Sequence, residues 1–270
     1  MDGTGPVLPS STIAMFAVVR EIRCPCIGPV RGLHSLLSIS RFFALQLPVV
    51  TMLVETTIEN AKFGWYQIYT LLVVWGSLFA DGGEMLCISL ISKEMGTSFK
   101  WKNQSEVSHY VGILGSLTFF GFLLGSLYGG KLIDIFGRRN PFILFNLTTF
   151  VFGMASSFSP TVWYLALCRF FTGMGVGGSI PCATAVLAEI CPNKERRVVI
   201  LTKTIGFVLG EILLGFEAQY ILPTFKDPDR AWRTLLIVAS LPAFVALLLS
   251  IFFLDESPRF LEINIARGEE

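Results

Sequence analysis

Five ionisable residues stand inside long apolar runs: Asp81, Glu84, Arg169, Glu211 and Glu217. A charged side chain at the centre of a hydrocarbon layer costs at least ~2.5 kcal/mol on insertion scales, so one kept there pairs with another charge or serves a function. Asp81 and Glu84 are three residues apart and share a helix face, and Gly82-Gly83 between them lets a helix bend or a ligand approach the backbone. With ~1.5 Å of rise per residue, Glu84 and Arg169 lie at similar depths, roughly 12 and 10 Å below the outer ends of their runs. Arg169 paired with Glu84 or with Glu217 leaves at least one acid, Asp81 or Glu211, uncompensated and poised to bind a proton or an organic cation. The alternative is a fully paired cluster that is purely structural.

The elements that must carry these charges are membrane helices. Hydrophobic residues make up 53% of the 270-residue chain and charged ones 15%, against roughly a quarter charged in soluble proteins. Six runs approach or exceed the ~20 residues that cross ~30 Å of hydrocarbon: Ile68 to Ser92, Tyr110 to Leu132, Pro141 to Ser159, Val162 to Glu189, Ile200 to Leu222 and Arg233 to Leu254. Successive single spans of this kind satisfy their backbone groups only as helices. The second and fourth connections and the tail hold the basic residues Lys131, Arg138, Arg139, Lys194, Arg196, Arg197, Lys203, Arg259 and Arg267, which puts them, and both termini, in the cytosol. Residues 1–53 form a poorly defined leader, read either as lying outside the fold, with Met52 as a start, or as an interfacial segment. Residues 54–67 are a cytosolic approach, 68–254 the six-helix domain, and 255–270 the start of a cytosolic segment.

Glycines recur at spacings that suit close helix contact. Gly121, Gly125 and Gly129, and likewise Gly206 and Gly210, repeat every four residues and make flat stripes. Gly173, Gly175 and Gly178 satisfy GxGxxG, with Gly177 at one of its variable positions, yet they sit within an apolar run rather than between a strand and a helix, so a dinucleotide reading fails. Between the second and third runs stands Gly130-Lys-Leu-Ile-Asp134-Ile-Phe-Gly137-Arg138-Arg139; the fourth run ends with Glu189, followed by Arg196; and Glu256-Ser-Pro-Arg259 follows the sixth.

These three elements resemble the signatures of the major facilitator superfamily, with Ile133, Ile135 and Val186 departing from its usual pattern. Within it, Asp81-x-x-Glu84 after Phe63-Gly-Trp-Tyr-Gln67 resembles the synaptic-vesicle-two-related and organic-ion branch more than sugar porters, although the signature after the glycines is sugar-porter-like. The resemblance covers residues 54–270 and implies an all-α bundle of two inverted three-helix repeats, the N-terminal half of a twelve-span transporter. It further implies a cytosolic gate held by ion pairs among Asp134, Arg138, Glu189, Arg196 and Glu256, and a solute cavity lined by spans one, four and five.

The resulting expectation is a secondary carrier of a small organic solute or ion, coupled to protons through Asp81, Glu84 or Glu211 and working by alternating access. Its partners are the lipid bilayer, the solute and protons, and a C-terminal half or a second copy of the chain. The alternative is a binding or regulatory membrane protein that keeps the fold without net transport. No cofactor, metal or nucleic acid is expected: the chain has two histidines and a net charge of +1, and no nucleophile, base and orienting group converge as in an enzyme. The six cysteines read as free thiols and packing residues, and Asn103-Gln-Ser105 is a glycosylation acceptor in the first outer loop.

Overall fold

The computed structural model describes residues 65–256 apart from 102 and 192; the leader and Arg259 lie outside the described residues. The described residues fall within one compact unit, 51–270, and form six helices. These are α1 (Trp65–Ser98), α2 (Gln104–Phe136), α3 (Arg139–Ser157), α4 (Val162–Ile190), α5 (Asn193–Thr224) and α6 (Pro228–Phe253). Local chemistry marks their ends. The Thr161 hydroxyl accepts from the N–H of Tyr164 at the start of α4, and Asp227 caps α6 with Pro228 in the first turn, where its missing N–H costs nothing. Gly137, at φ 85°, ends α2 in a conformation that favours glycine.

Five helices are long and apolar enough to cross a membrane. The sixth, α3, has 19 residues and carries Asn146, Thr148, Thr149, Ser156 and Ser157 among its apolar ones. It turns most of these polar groups inward. Asn146, wholly covered, accepts from Ser77 Oγ at 2.6 Å and donates to the Phe142 carbonyl at 3.0 Å. The surface is the reverse of a soluble protein's: Phe119, Phe120, Leu123 and Leu127 of α2 and Leu201, Ile205, Ile212 and Phe216 of α5 face outward, while Asp81, Glu84 and Arg169 are enclosed. That inversion suits a lipid solvent.

Packing follows a three-plus-three pattern. The principal partners of α1 are α5 and α6, those of α4 are α2 and α3, and α3 also lies on α6. Exchanging α1 with α4, α2 with α5 and α3 with α6 maps this arrangement onto itself, as two related three-helix repeats require. Glycines permit the two closest contacts. A methyl group on Gly121 or Gly125 would collide with the carbonyl of Phe170 or Met174 on α4, and one on Gly173 or Gly177 with that of Thr118 or Phe122 on α2. Gly82 and Gly210 stand in the same relation to Phe207 of α5 and Phe79 of α1. Gly129 and Gly206 are close to α4 and α1, while Gly175 and Gly178 admit Thr149 and the ring of Phe145 from α3.

Two local readings of the sequence change. Gly82-Gly83 does not break α1, which is one continuous helix, because Gly82 is used for backbone contact with α5. The fourth connection is shorter than the basic residues suggest: α5 starts at Asn193, so Lys194, Arg196 and Arg197 belong to the same helix as Lys203 rather than to a loop.

Candidate functional site

The innermost polar cluster is built by four helices. Glu84 of α1 and Arg169 of α4 form an ion pair at 2.8 Å with both side chains fully buried. The second oxygen of Glu84 accepts from Ser240 Oγ of α6 at 2.8 Å. Arg169 donates also to Cys87 Sγ at 3.0 Å and to Ser156 Oγ of α3. Gly153 of α3 makes this geometry possible, since a Cβ there would lie 2.5 Å from Glu84 Oε1 and 2.9 Å from Ser240 Oγ. A pair so enclosed attracts strongly at low dielectric yet has given up its hydration, so its net value depends on these extra hydrogen bonds.

Asp81, one turn before Glu84, is equally buried but has no cation against it. Ser179 Oγ of α4 donates to one carboxylate oxygen at 2.5 Å, and the other oxygen has no partner. Among the described residues, the fully buried ionisable side chains of this cluster are thus two carboxyl groups and one guanidinium, with a formal imbalance of one negative charge unless a proton is bound. The acids of α5 stand apart. Glu211 and Glu217 are half-buried and make no hydrogen bond or ion pair among the described residues. Glu217 borders a small void between α1, α5 and α6, together with Phe79, Ala80, Gly83, Leu214 and Ala239.

A second cluster lies at the other end of the bundle. Arg138 binds Glu189 of α4 through both Nη2 (2.8 Å) and Nε (2.9 and 3.0 Å). Glu256, after α6, accepts the backbone N–H groups of Arg138 (2.7 Å) and Arg139 (3.3 Å), placing its charge at the N-terminus of α3. Arg139 Nη2 donates to the Ile251 carbonyl at 2.8 Å. One loop is thereby tied to the ends of α4 and α6. Asp134 is exposed with no partner among the described residues, Arg196 is half-buried with an unpartnered Nε, and a methyl group on Gly130 would meet nothing within 4 Å.

Residue types alone did not single out Ser156, Ser179, Ser240, Cys87 or Gly153. A serine in an apolar helix usually bonds the carbonyl a turn earlier, so its sequence gives no sign that it serves a charge on another helix. Their signal is only collective: small residues on four helices that also carry or contact charges. No group of three or more metal-ligating side chains is found among the described residues.

Residues 69–270 match the family model described as "Sugar (and other) transporter". The chain is 28% identical over 213 residues to the 4-hydroxybenzoate transporter PcaK of Acinetobacter baylyi, an alignment covering 78% of this chain and 44% of the relative. It is 29% identical over 210 residues to the synaptic vesicle 2-related protein of Xenopus laevis, covering 78% and 36% respectively. Among solved structures, the partially occluded inward-open xylose transporter XylE of E. coli superposes with a TM-score of 0.68 at 21% identity, over 76% of this chain and 53% of that one. The chain spans about half the length of these proteins or less.

Proposed function

Because the chain belongs to the sugar (and other) transporter family, we propose that it acts as the N-terminal six-helix half of a secondary carrier for a small organic solute, driven by protons bound at Asp81. The fold is that of a half major facilitator bundle, multi-pass and all-α, and the chain is a transporter-family protein rather than an enzyme. What supports proton coupling is one observation: Asp81 is sealed between α1 and α4 without a cation, one turn from a Glu84–Arg169 pair that already uses the nearest positive charge. A protonated Asp81 lets the α1–α4 seam close at no electrostatic cost, and a deprotonated one favours a conformation that admits water or a cation.

The Arg138–Glu189 pair and the Glu256 cap form the cytosolic gate of this carrier, holding the ends of α2, α3, α4 and α6 together until the solute and proton are released inward. Both termini lie in the cytosol, as the basic residues dictate. The apolar outer faces of α2 and α5 meet lipid, or a C-terminal half or second copy that encloses the solute pathway. The names of the relatives supply the probes, an aromatic carboxylate and a pentose.

The test is uptake of 4-hydroxybenzoate and xylose into proteoliposomes carrying the chain, alone and together with a C-terminal six-helix half of the family. Uptake of either probe that rises with an inward proton gradient, and loses that dependence in Asp81→Asn, is the expected outcome. Retained probe binding without any flux would instead favour a binding protein that keeps the carrier fold.

A further inference from the structure

Lys203 stands in the apolar part of α5, five residues after Val198 opens the hydrophobic stretch of that helix. At ~1.5 Å per residue this is roughly 8 Å inside the layer, where an ammonium group without compensation is expensive. A lysine so near the start of an apolar stretch can extend its stem to the interface. Lys203 does otherwise. Its Nζ reaches across to α4 and donates to Thr184 Oγ1, and no carboxylate lies against it among the described residues. Both side chains are only partly covered, so a molecule beside α4 and α5 can reach them. Thr184 follows Ser179 by five residues, so the ammonium lies roughly 8 Å along α4 from the carboxyl of Asp81.

A hydroxyl oxygen satisfies one of three ammonium protons and none of the charge. The guanidinium of the fully buried Arg169 is already neutralised by Glu84. Among the described residues, Lys203 is thus the positive charge within the apolar part of a helix that is both unneutralised and reachable, and its natural complement is an anion small enough to enter beside Thr184.

We propose that Lys203 and Thr184 form an anion-holding site that takes the carboxylate of a small organic acid, the ammonium supplying the charge and the threonine hydroxyl a second, orienting hydrogen bond. This deepens the carrier reading and rests on it: the solute is an acid anion, and the proton at Asp81 offsets its charge during passage.

Equilibrium binding of radiolabelled 4-hydroxybenzoate to the reconstituted chain tests the site, with unlabelled 4-hydroxybenzamide as the neutral competitor of the same shape. The carboxylate should bind at least ~10-fold more tightly than the amide, the scale of one charge-assisted hydrogen bond. Lys203→Gln should erase that preference and Lys203→Arg keep it, both variants being checked for an unchanged elution profile and melting temperature. Equal binding of acid and amide, no binding of the acid, or a preference that survives Lys203→Gln would overturn the proposal and leave Lys203 as an interfacial lysine. Because binding is read without a gradient, the two readings fail separately. A chain that takes up xylose under a proton gradient but shows no preference for the carboxylate keeps the carrier and loses the anion site.

Discussion

At the scale of single residues, the decisive groups are charges in a greasy interior. Glu84 and Arg169 could be picked out of the sequence because nothing else explains an acid and a guanidinium in apolar runs. The choice between Glu84 and Glu217 as the partner of Arg169 could not be made, since it depends on which face of α5 meets α1. The structure pairs Arg169 with Glu84 at 2.8 Å and leaves Glu217 at a void beside Gly83. Breaking that pair from one side leaves a buried charge exposed to low dielectric. Arg169→Met should therefore cost about 3–5 kcal/mol, seen as a fall in detergent-solubilised melting temperature, and the double variant Glu84→Gln/Arg169→Met should recover part of it. A double variant no more stable than Arg169→Met alone would argue that the hydrogen bonds from Ser240 and to Ser156, rather than the pair, carry the stability.

At the scale of helices, spacing told most of the story for the glycine stripes and little for the isolated glycines. Gly121 and Gly125 recur at the interval that lines one face, and both touch backbone on α4. Gly130 continues the run by one residue, rotates off that face, and meets nothing. Gly82 looks like a hinge in the sequence because its neighbours are a glycine and an acid, yet it serves packing, since α1 and α5 cross there. Gly125→Ala must push α2 and α4 apart and should cost about 1–3 kcal/mol, as overpacked contacts do. Gly112→Ala, with open space around its new methyl group, should be neutral or slightly stabilising through helix propensity. Folded yield by fluorescence-detected chromatography after a heating series separates the two. Equal behaviour of both variants would mean that the α2–α4 contact is looser than its geometry.

At the scale of the molecule, two polar clusters hold different parts of the bundle: Glu84–Arg169 joins helix interiors, and the other joins helix ends. The Arg138–Glu189–Glu256 group ties a loop to two helix ends, and Cys191, two residues after Glu189, lies buried directly after α4. Burial holds the Cys191 thiol above its ordinary range, so the reactive thiolate is scarce until that end opens. In a background with Cys24→Ser and Cys26→Ser, Glu189→Gln should speed maleimide labelling of Cys191 from the cytosolic side. For the parent, the rate should go on rising with pH past the point at which an exposed thiol levels off. Unchanged labelling in Glu189→Gln would mean that the pair does not hold the gate. The bundle itself was legible from six apolar runs, and its repeat from the glycine-rich first and fourth. The contacts of Arg138 with Glu189 and Glu256 were legible only through resemblance, because those partners lie 51 and 118 residues away in sequence.

The most direct measurement of the central claim is proton movement itself. Addition of 4-hydroxybenzoate to proteoliposomes in weakly buffered medium, followed with an external pH dye, should alkalinise the outside as solute and proton enter together; Asp81→Asn should bind the solute with no such signal. An equal alkalinisation in Asp81→Asn would contradict the assignment of the proton to Asp81 and return the buried acid to a purely structural role.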